Sequence, residues 1–387
     1  MVFSFIACFK VFFSFFFSLF VLKTFLSYCF SLLSMEGFQE IVEHKTKVFV
    51  PLETKVSREL DVFYNPRMEL NRDISIILLN CLDREELKIA LPLAGTGIRG
   101  VRFLKELPEL KINKVFFNDV SPKAVDLIKK NLELNDITEG FDVSNNDASK
   151  FLLNNICFDY IDIDPFGPPG PFLDSAIKKL SRGGILAVTA TDTGALCGSF
   201  PKACNRKYWA LPKKDSLMHE RGLRILIRKV QLVASQYDVA LFPIFCYDFE
   251  HYMRAFFICK KGKKLVDEVL SKHELDNNSG PLWIGKIFDE SLVEEMNNFI
   301  KNDCLFSKNK ELVSFIELIN SEKSFSYGFF DIHEIVKKLK LSAVPKFDKI
   351  FEQIISKGFL ASRTHFSQYG IKSDIGKDEL VEIIKSL

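Results

Sequence analysis

Short apolar runs alternate along this chain with longer stretches of helical spacing, each pair separated by glycine or proline punctuation. Leu87–Leu93 reads as a strand that runs into Gly95. Ile98–Leu107 carries helical spacing and stops before Pro108. Lys114–Phe117 is the next strand, ending at Asn118-Asp119. Ser121-Pro122 then signals a helix start with proline in the first turn, running to about Leu134. A weaker strand at Phe141–Ser144 precedes Asp147. Phe158–Ile163 is a strand ending in Asp164-Pro165-Phe166-Gly167, followed by a helix from about Phe172 to Leu180 and the strand Ile185–Ala190. Repeated strand–helix units of this length predict an α/β fold, with a parallel sheet covered by helices on both faces. After a long helix around Arg221–Ser235, Val239–Tyr247 and Arg254–Cys259 read as a closing antiparallel pair.

The pattern then changes. The lysine cluster Lys260–Lys264 and the polar stretch near Asp276–Gly280 suggest a boundary near residue 263. Beyond it, helical runs at Ile332–Leu341 and Phe347–Lys357 flank a turn containing Pro345. The segments Gly358–Leu360 and Arg363–Phe366 follow as a strand or wing. That is the order of a winged-helix element, which often binds nucleic acid or protein. The expected organisation is a catalytic domain over 35–262 and a smaller α+β domain over 263–387.

Residues 1–34 stand apart: they hold eleven of the 39 phenylalanines, two lysines and no acidic residue. The apolar and serine run Val11–Leu22 is shorter than the roughly 20 residues that a membrane span needs. With its flanks the segment still has the character of a signal anchor. The favoured expectation is a mis-assigned start, with translation beginning at Met35. Elsewhere composition is ordinary, and a net charge of +2 requires any basic surface to be a local patch. Nine cysteines without a Cys-x-x-Cys pair read as reduced thiols rather than a disulfide framework or a zinc site.

Gly95-Thr96-Gly97-Ile98-Arg99-Gly100 matches G-x-G-x-x-G between a strand and a helix, and Asp119 lies 19 positions beyond Gly100. The glycines permit a tight turn and close approach of backbone to ligand, while the acid can accept both hydroxyl protons of a ribose. Nicotinamide-dependent dehydrogenases and methyltransferases share this signal, and a plain strand–helix turn would also use it. Asp147-Ala148 after the third strand could hold an adenine amine with a carboxylate and a backbone amide. Arg72 and Arg99 suit the terminal carboxylate of S-adenosylmethionine, which arginine grips with two parallel hydrogen bonds. Spacing alone equally allows Arg72 on the surface of an amphipathic helix.

Asp164-Pro165-Phe166-Gly167 is the most informative stretch, because strand ends at the edge of a parallel sheet are where ligands bind. The exocyclic amine of guanine is a poor nucleophile, its lone pair being delocalised into the ring. Asp164 with the Pro165 carbonyl could accept both N–H protons and aim the lone pair at a sulfonium methyl. Phe166 could stack on the flipped base. The other reading is an Asp-Pro turn capping the next helix.

Taken together these residues resemble the tRNA (guanine-26-N2)-dimethyltransferases in their archaeal form. The match rests on Phe63–Asp73, Thr96–Gly100, Asn118–Pro122, Asp164–Gly167, Thr189–Thr193, Leu196–Gly198 and Arg206–Tyr208. Gly280–Gly285 and Ser362–Phe366 extend it, so it covers nearly everything after Met35. The resemblance implies a class I (Rossmann-like) S-adenosylmethionine-dependent methyltransferase domain and a C-terminal tRNA-binding domain. It also implies two methyl transfers to one guanine at the junction of the D and anticodon stems. Its implied cofactor contacts are Arg72, Arg99, Asp119, Asp147 and Ala148, and its catalytic pair is Asp164 and Phe166. The expected partner is tRNA and the expected location cytoplasmic, with no obligate protein partner evident and no membrane role unless 1–34 is real.

The chain departs from the pattern in places. Many relatives carry two cysteine pairs before the Pro-Leu-Trp-Ile-Gly stretch; only Cys259 stands near it here, so no structural zinc is expected. Trp209 stands where a small residue is usual, and Pro168 and Gly170 alter the sequence after the catalytic motif. Lys202, Arg206, Lys207, Lys213 and Lys214, near Tyr208 and Trp209, form a candidate tRNA-facing patch or an ordinary solvated loop. Arg363 and His365 on the presumed wing are similar candidates. The alternatives to a methyltransferase are a nicotinamide-dependent dehydrogenase and a non-catalytic RNA-binding protein on the same scaffold.

Overall fold

The computed structural model describes residues 37–52 and 62–387; the leader 1–34 and the start at Met35 lie outside the described residues. The chain opens with a hairpin of β1 (Phe38–Glu43) and β2 (Thr46–Pro51), then α1 (Glu69–Cys81) and β3 (Leu87–Leu91). Next come α2 (Ile98–Glu106), β4 (Ile112–Asp119), α3 (Pro122–Leu134), β5 (Phe141–Asn145), α4 (Ala148–Asn154) and β6 (Phe158–Ile163). They are followed by α5 (Gly170–Lys179), β7 (Leu180–Ala190), α6 (Thr193–Leu196), α7 (Pro201–Tyr208) and α8 (Met218–Ser235). The strands β8 (Val239–Phe249) and β9 (Tyr252–Lys261) form a hairpin. One sheet results, in the order β5-β4-β3-β6-β7-β9-β8. Its first five strands run parallel, and β9 is antiparallel to both neighbours.

The central strands are apolar on both faces because helices cover both, as a parallel sheet requires. In β6, Phe158, Tyr160, Ile161 and Ile163 are fully buried, and Asp162 among them is the charged exception. The turn after β3 needs its glycines. Gly95 and Gly97 take φ of 55° and 79°, and a Cβ on Gly100 would lie 2.2 Å from the Phe117 ring. That absence of a side chain lets α2 sit directly on the sheet. Ser121 caps α3, its side chain accepting from the Ala124 amide with Pro122 in the first turn.

The apolar core does not stop at 263. After α9 (Lys263–Leu270) come β10 (His273–Asp276), β11 (Ser279–Trp283), α10 (Glu290–Asn302) and α11 (Lys310–Glu322). Val266, Trp283, Val293 and Ile316 from these elements belong to the same core as the sheet. A second core begins with β12 (Phe330–Asp331), α12 (Ile332–Leu339) and α13 (Phe347–Ser356). It continues through β13 (Ala361–Thr364), β14 (Ser367–Ser373) and α14 (Lys377–Ser386). Three short strands here pair in the order β12-β14-β13.

The β13–β14 turn points inward. Phe366 joins the first core, and the Glu322 carboxylate accepts from the Thr364 hydroxyl (2.6 Å) and the His365 amide (3.0 Å). The His365 side chain is 1% exposed and meets the same carboxylate, so it is part of the packing and does not face RNA. One strand further on, the Lys372 ammonium reaches across to the Glu220 carboxylate of α8 (3.1 Å) and donates to the Ser326 and Gly328 carbonyls.

Candidate active site

A cleft opens at the carboxyl ends of β3 and β6, where the loop before α1 folds over the glycine turn. Arg72, Gly95, Arg99 and Asp164 all line it, with Phe63 and Tyr64 from the covering loop. Sequence spacing placed these residues in separate motifs, and the fold brings them to one site. Asp119 adjoins the cleft from the end of β4. Its Oδ2 accepts from the Gly95 amide (2.9 Å) and its Oδ1 from the Ser121 amide (3.0 Å). Burial pushes the Asp119 carboxyl above its usual range, opposed by those backbone amides and that of Val120.

Asp147 and Ala148 do not line that cleft. They start α4 at the end of β5, two strands from β3, where Asp147 caps the helix by accepting from the Lys150 amide (3.0 Å). Asn118 ties this corner to the cleft. Its Nδ2 donates to the Pro92 and Asn146 carbonyls, and its Oδ1 accepts from the Asn146 amide.

Arg72 is buried rather than on a surface. Its Nε and Nη2 fork the Glu43 carboxylate, with Nε to Oε2 at 2.9 Å. Tyr64 donates to the same carboxylate (3.0 Å), and Arg102 approaches it at 3.3 Å while also meeting Asp73 (2.7 Å) and Glu106 (2.9 Å). Burial alone would push the Glu43 carboxyl up, but Arg72 and Arg102 hold it below the usual carboxylate range. The β1–β2 hairpin therefore orients Arg72, a role that no local motif announced.

Arg99 meets Asp164 directly: its Nη2 donates to Oδ2, its Nη1 to the Ser75 hydroxyl (3.0 Å), and its Nε lies 3.5 Å from Asp162. Beneath it the fully buried Arg254 forks Asp162 at 2.8 and 2.7 Å and also donates to Thr189 (2.8 Å). Arg254, Asp162, Arg99 and Asp164 thus form a line of alternating charge from the sheet interior to the cleft. Burial would raise the Asp162 carboxyl; Arg254 and then Arg99 pull it below its usual range. Such a line fixes the Asp164 carboxylate because each charge is held by the next in a low-dielectric setting.

Phe166 is 44% exposed at the mouth and packs edge-on to Phe63, with ring centroids 5.6 Å apart. Gly167 is tied back to the end of β7 by a reciprocal pair. Its amide donates to the Thr191 hydroxyl (2.7 Å) and its carbonyl accepts from the Thr191 amide (3.2 Å). The next residue, Asp192, accepts from the Lys207 ammonium (3.0 Å) and the Tyr208 hydroxyl. The Asp164–Gly167 loop and the basic helix α7 are therefore joined.

Among the described residues one trio, His44, Glu69 and Asp73, lies close enough to share a metal ion. Asp73 there is already engaged by Arg102, from outside the trio, and by His44 (3.1 Å).

Comparison with known proteins identifies the family and the fold. The family described as N2,N2-dimethylguanosine tRNA methyltransferase matches residues 39–278 and 274–385. The tRNA (guanine(26)-N(2))-dimethyltransferase of Methanosphaera stadtmanae is 37% identical over 379 residues, covering 89% of this chain and 96% of that one. The tRNA (guanine(26)-N(2)/guanine(27)-N(2))-dimethyltransferase of Aquifex aeolicus is 35% identical, covering 90% and 96%. The solved structure of Trm1 from Pyrococcus horikoshii with S-adenosyl-L-methionine superposes with a TM-score of 0.81 at 35% identity, covering 89% and 99%. The fold is thus the Rossmann-like methyltransferase fold, and the chain belongs to the N2,N2-dimethylguanosine tRNA methyltransferase family.

Proposed function

We propose that this protein transfers methyl groups from S-adenosylmethionine to the exocyclic N2 amine of guanine 26 in tRNA, twice in succession. The observation that carries the reading is Asp164, with Pro165 and Phe166 after it, at the end of β6 in one cleft with Arg72, Arg99 and the glycine turn. The residues fit the cofactor chemically. The Glu43 fork takes Nε and Nη2 of Arg72, leaving Nη1 for a ligand carboxylate, with Arg99 beside it. Close approach at Gly95 suits a bound ligand, Asp119 would take the ribose hydroxyls, and Asp147 with the first-turn amide of Ala148 would hold the adenine.

S-adenosylmethionine, when bound, supplies an electrophilic methyl carbon. In the first transfer Asp164 and the Pro165 carbonyl accept the two amine hydrogens of guanine and so direct its lone pair, and in the second the one remaining N–H faces Asp164; in each, one N–H proton leaves the nitrogen to solvent as the new N–C bond forms. The carboxylate also stabilises the positive charge that develops on the nitrogen. Phe166, exposed at the mouth, stacks on the flipped base. The line Arg254–Asp162–Arg99 keeps Asp164 aligned, and alignment is most of what a methyl displacement needs.

The dehydrogenase and non-catalytic readings lose their support, since the family is one of methyltransferases. No helix among the described residues is long and apolar enough to cross a membrane. A tRNA substrate favours work in the cytoplasm. The test is methyl incorporation into unmodified tRNA, with nucleosides identified by mass. N2,N2-dimethylguanosine at position 26 is expected, and a tRNA with adenine at 26 should accept nothing. Asp164→Asn keeps an acceptor oxygen and should retain some activity, whereas Asp164→Ala should lose about 100-fold or more, the scale of a removed polar transition-state contact. Equal losses in the two variants would refute the orienting role.

A further inference from the structure

Two exposed aromatics bracket α7: Phe200 at its start is 66% exposed and Trp209 at its end is 55% exposed. Trp209 closes the helix at φ 56°, a left-handed conformation that bulky side chains rarely adopt. The strain is not offset by burial of the ring, which is unusual for tryptophan in a packed fold. One face of the ring is covered by the Lys229 ammonium, 2.9 Å from the ring centroid. Arg228 donates to the Trp209 carbonyl (3.2 Å), and its buried Nε has no hydrogen-bond partner. Among the described residues neither Arg228 nor Lys229 is paired with a carboxylate, and burial together with Arg228 pushes the Lys229 amine down to about 8.

Other cations lie on the helix that Trp209 closes. Lys202, Arg206 and Lys207 are exposed on α7, and the nearby acids are already engaged, Asp192 by Lys207 and Asp215 by Arg221 and Lys213. The helix is also fixed relative to the chemistry. Tyr208, next to Trp209, is buried and donates to Asp192, one residue from the Thr191 that holds the catalytic loop. The following loop is pinned to β11 by paired hydrogen bonds between Leu211 and Gly280.

We propose that Trp209 is a stacking platform for a tRNA nucleotide beside the target guanine, with Lys229 backing the ring and the exposed Lys202 and Arg206 of α7 taking the adjoining phosphates. The inference rests on the tRNA methyltransferase reading above and names one part of its RNA-binding surface. An aromatic ring backed by a cation, with Arg228 beside it unpaired by any carboxylate among the described residues, suits a base with its phosphate, and suits a purely apolar partner poorly.

The chain has two tryptophans, and Trp283 is buried, so quenching of fluorescence by acrylamide reports on Trp209. Adding tRNA to the full chain should shield that signal, and the effect should vanish in Trp209→Phe. Trp209→Ala should raise KM for tRNA about 5- to 100-fold, the range for loss of one base–aromatic stack. KM for S-adenosylmethionine should stay within twofold. Trp209→Gly relieves the left-handed strain, so it should lose tRNA affinity as alanine does if stacking matters. A glycine variant with wild-type KM would overturn the proposal, as would tRNA that leaves Trp209 open to acrylamide while methylation proceeds. Shielding by tRNA without methylation of any guanine would instead sustain the platform and remove the catalytic reading.

Discussion

Replacing Arg254 with methionine should cost about 3–5 kcal/mol of stability, the usual penalty for removing one partner of a buried ion pair. Both partners are out of water: the Arg254 side chain is 0% and the Asp162 side chain 1% exposed. Asp162 would keep only the Tyr160 hydroxyl (2.7 Å) and the more distant Arg99 Nε. Asp162→Leu alone strands Arg254 in the same way and should cost a similar amount. The double variant removes both charges from an apolar setting, and losing the Tyr160 acceptor costs only about 1–2 kcal/mol. Equilibrium urea unfolding of the four proteins supplies the cycle. The double variant should be more stable than either single one, with a coupling of at least about 3 kcal/mol. The pH dependence gives a second check. In the wild type the Asp162 carboxyl lies below its unfolded value, so its contribution is present above that value, about 3.9, and fades as pH falls through the folded one. Without Arg254 only Arg99 and the Tyr160 hydroxyl oppose burial, the carboxyl moves up, and the single variant's deficit should shrink as pH falls towards the unfolded value. Additive losses, or a deficit that does not change with pH, would refute the reasoning.

Two further outcomes test other parts of the fold. Gly100→Ala would drive a Cβ to 2.4 Å from the Phe117 Cζ and 2.6 Å from the Leu91 Cδ1. It should cost about 1–3 kcal/mol in urea unfolding and weaken S-adenosylmethionine binding by shifting Arg99; an unchanged midpoint would mean that the helix does not rest on that contact. His219, held by Asp248 (3.0 Å) and then Cys197, is pushed up to about 10. Its stabilising contribution is complete below about 6.5 and is lost as pH rises towards 10, so the gap in Tm between wild type and His219→Gln should close over that window. A constant gap would exclude the charged histidine as its source.

The sheet was legible because its strands are apolar runs bounded by glycine and proline, and the cleft because its motifs sit at the ends of those strands. What escaped has a common cause. Asp162 and Arg254 are 92 residues apart and Glu43 and Arg72 are 29 apart, so no local periodicity connects them. A clue was nonetheless present: Arg254 is the one charge in Tyr252–Cys259, and Asp162 stands between Ile161 and Ile163 in a strand whose other acid, Asp159, lies near its start. A buried charge must find a partner. The lysines at 260–264 and the polar residues near 276–280 suggest a boundary near 263, which assigns the stretch from 263 to 331 to the C-terminal domain. Its apolar positions in α9, α10 and α11 nevertheless extend the sheet's own core. The wing was read from element order, which does not reveal which way a hairpin tip points. The side chains of His365 and Phe366 decide that by burying themselves.

That inward-pointing hairpin makes the catalytic half a poor portable module. A chain ended before Phe330 would open the seat of Phe366 to water and remove Lys372, while the fully buried Glu220 would keep only Arg224 as its counter-charge. The two halves have separate cores but are locked together by two buried carboxylates, Glu220 with Lys372 and Glu322 with Thr364 and His365, and a fragment drawn at the boundary between the cores would leave both acids short of a partner.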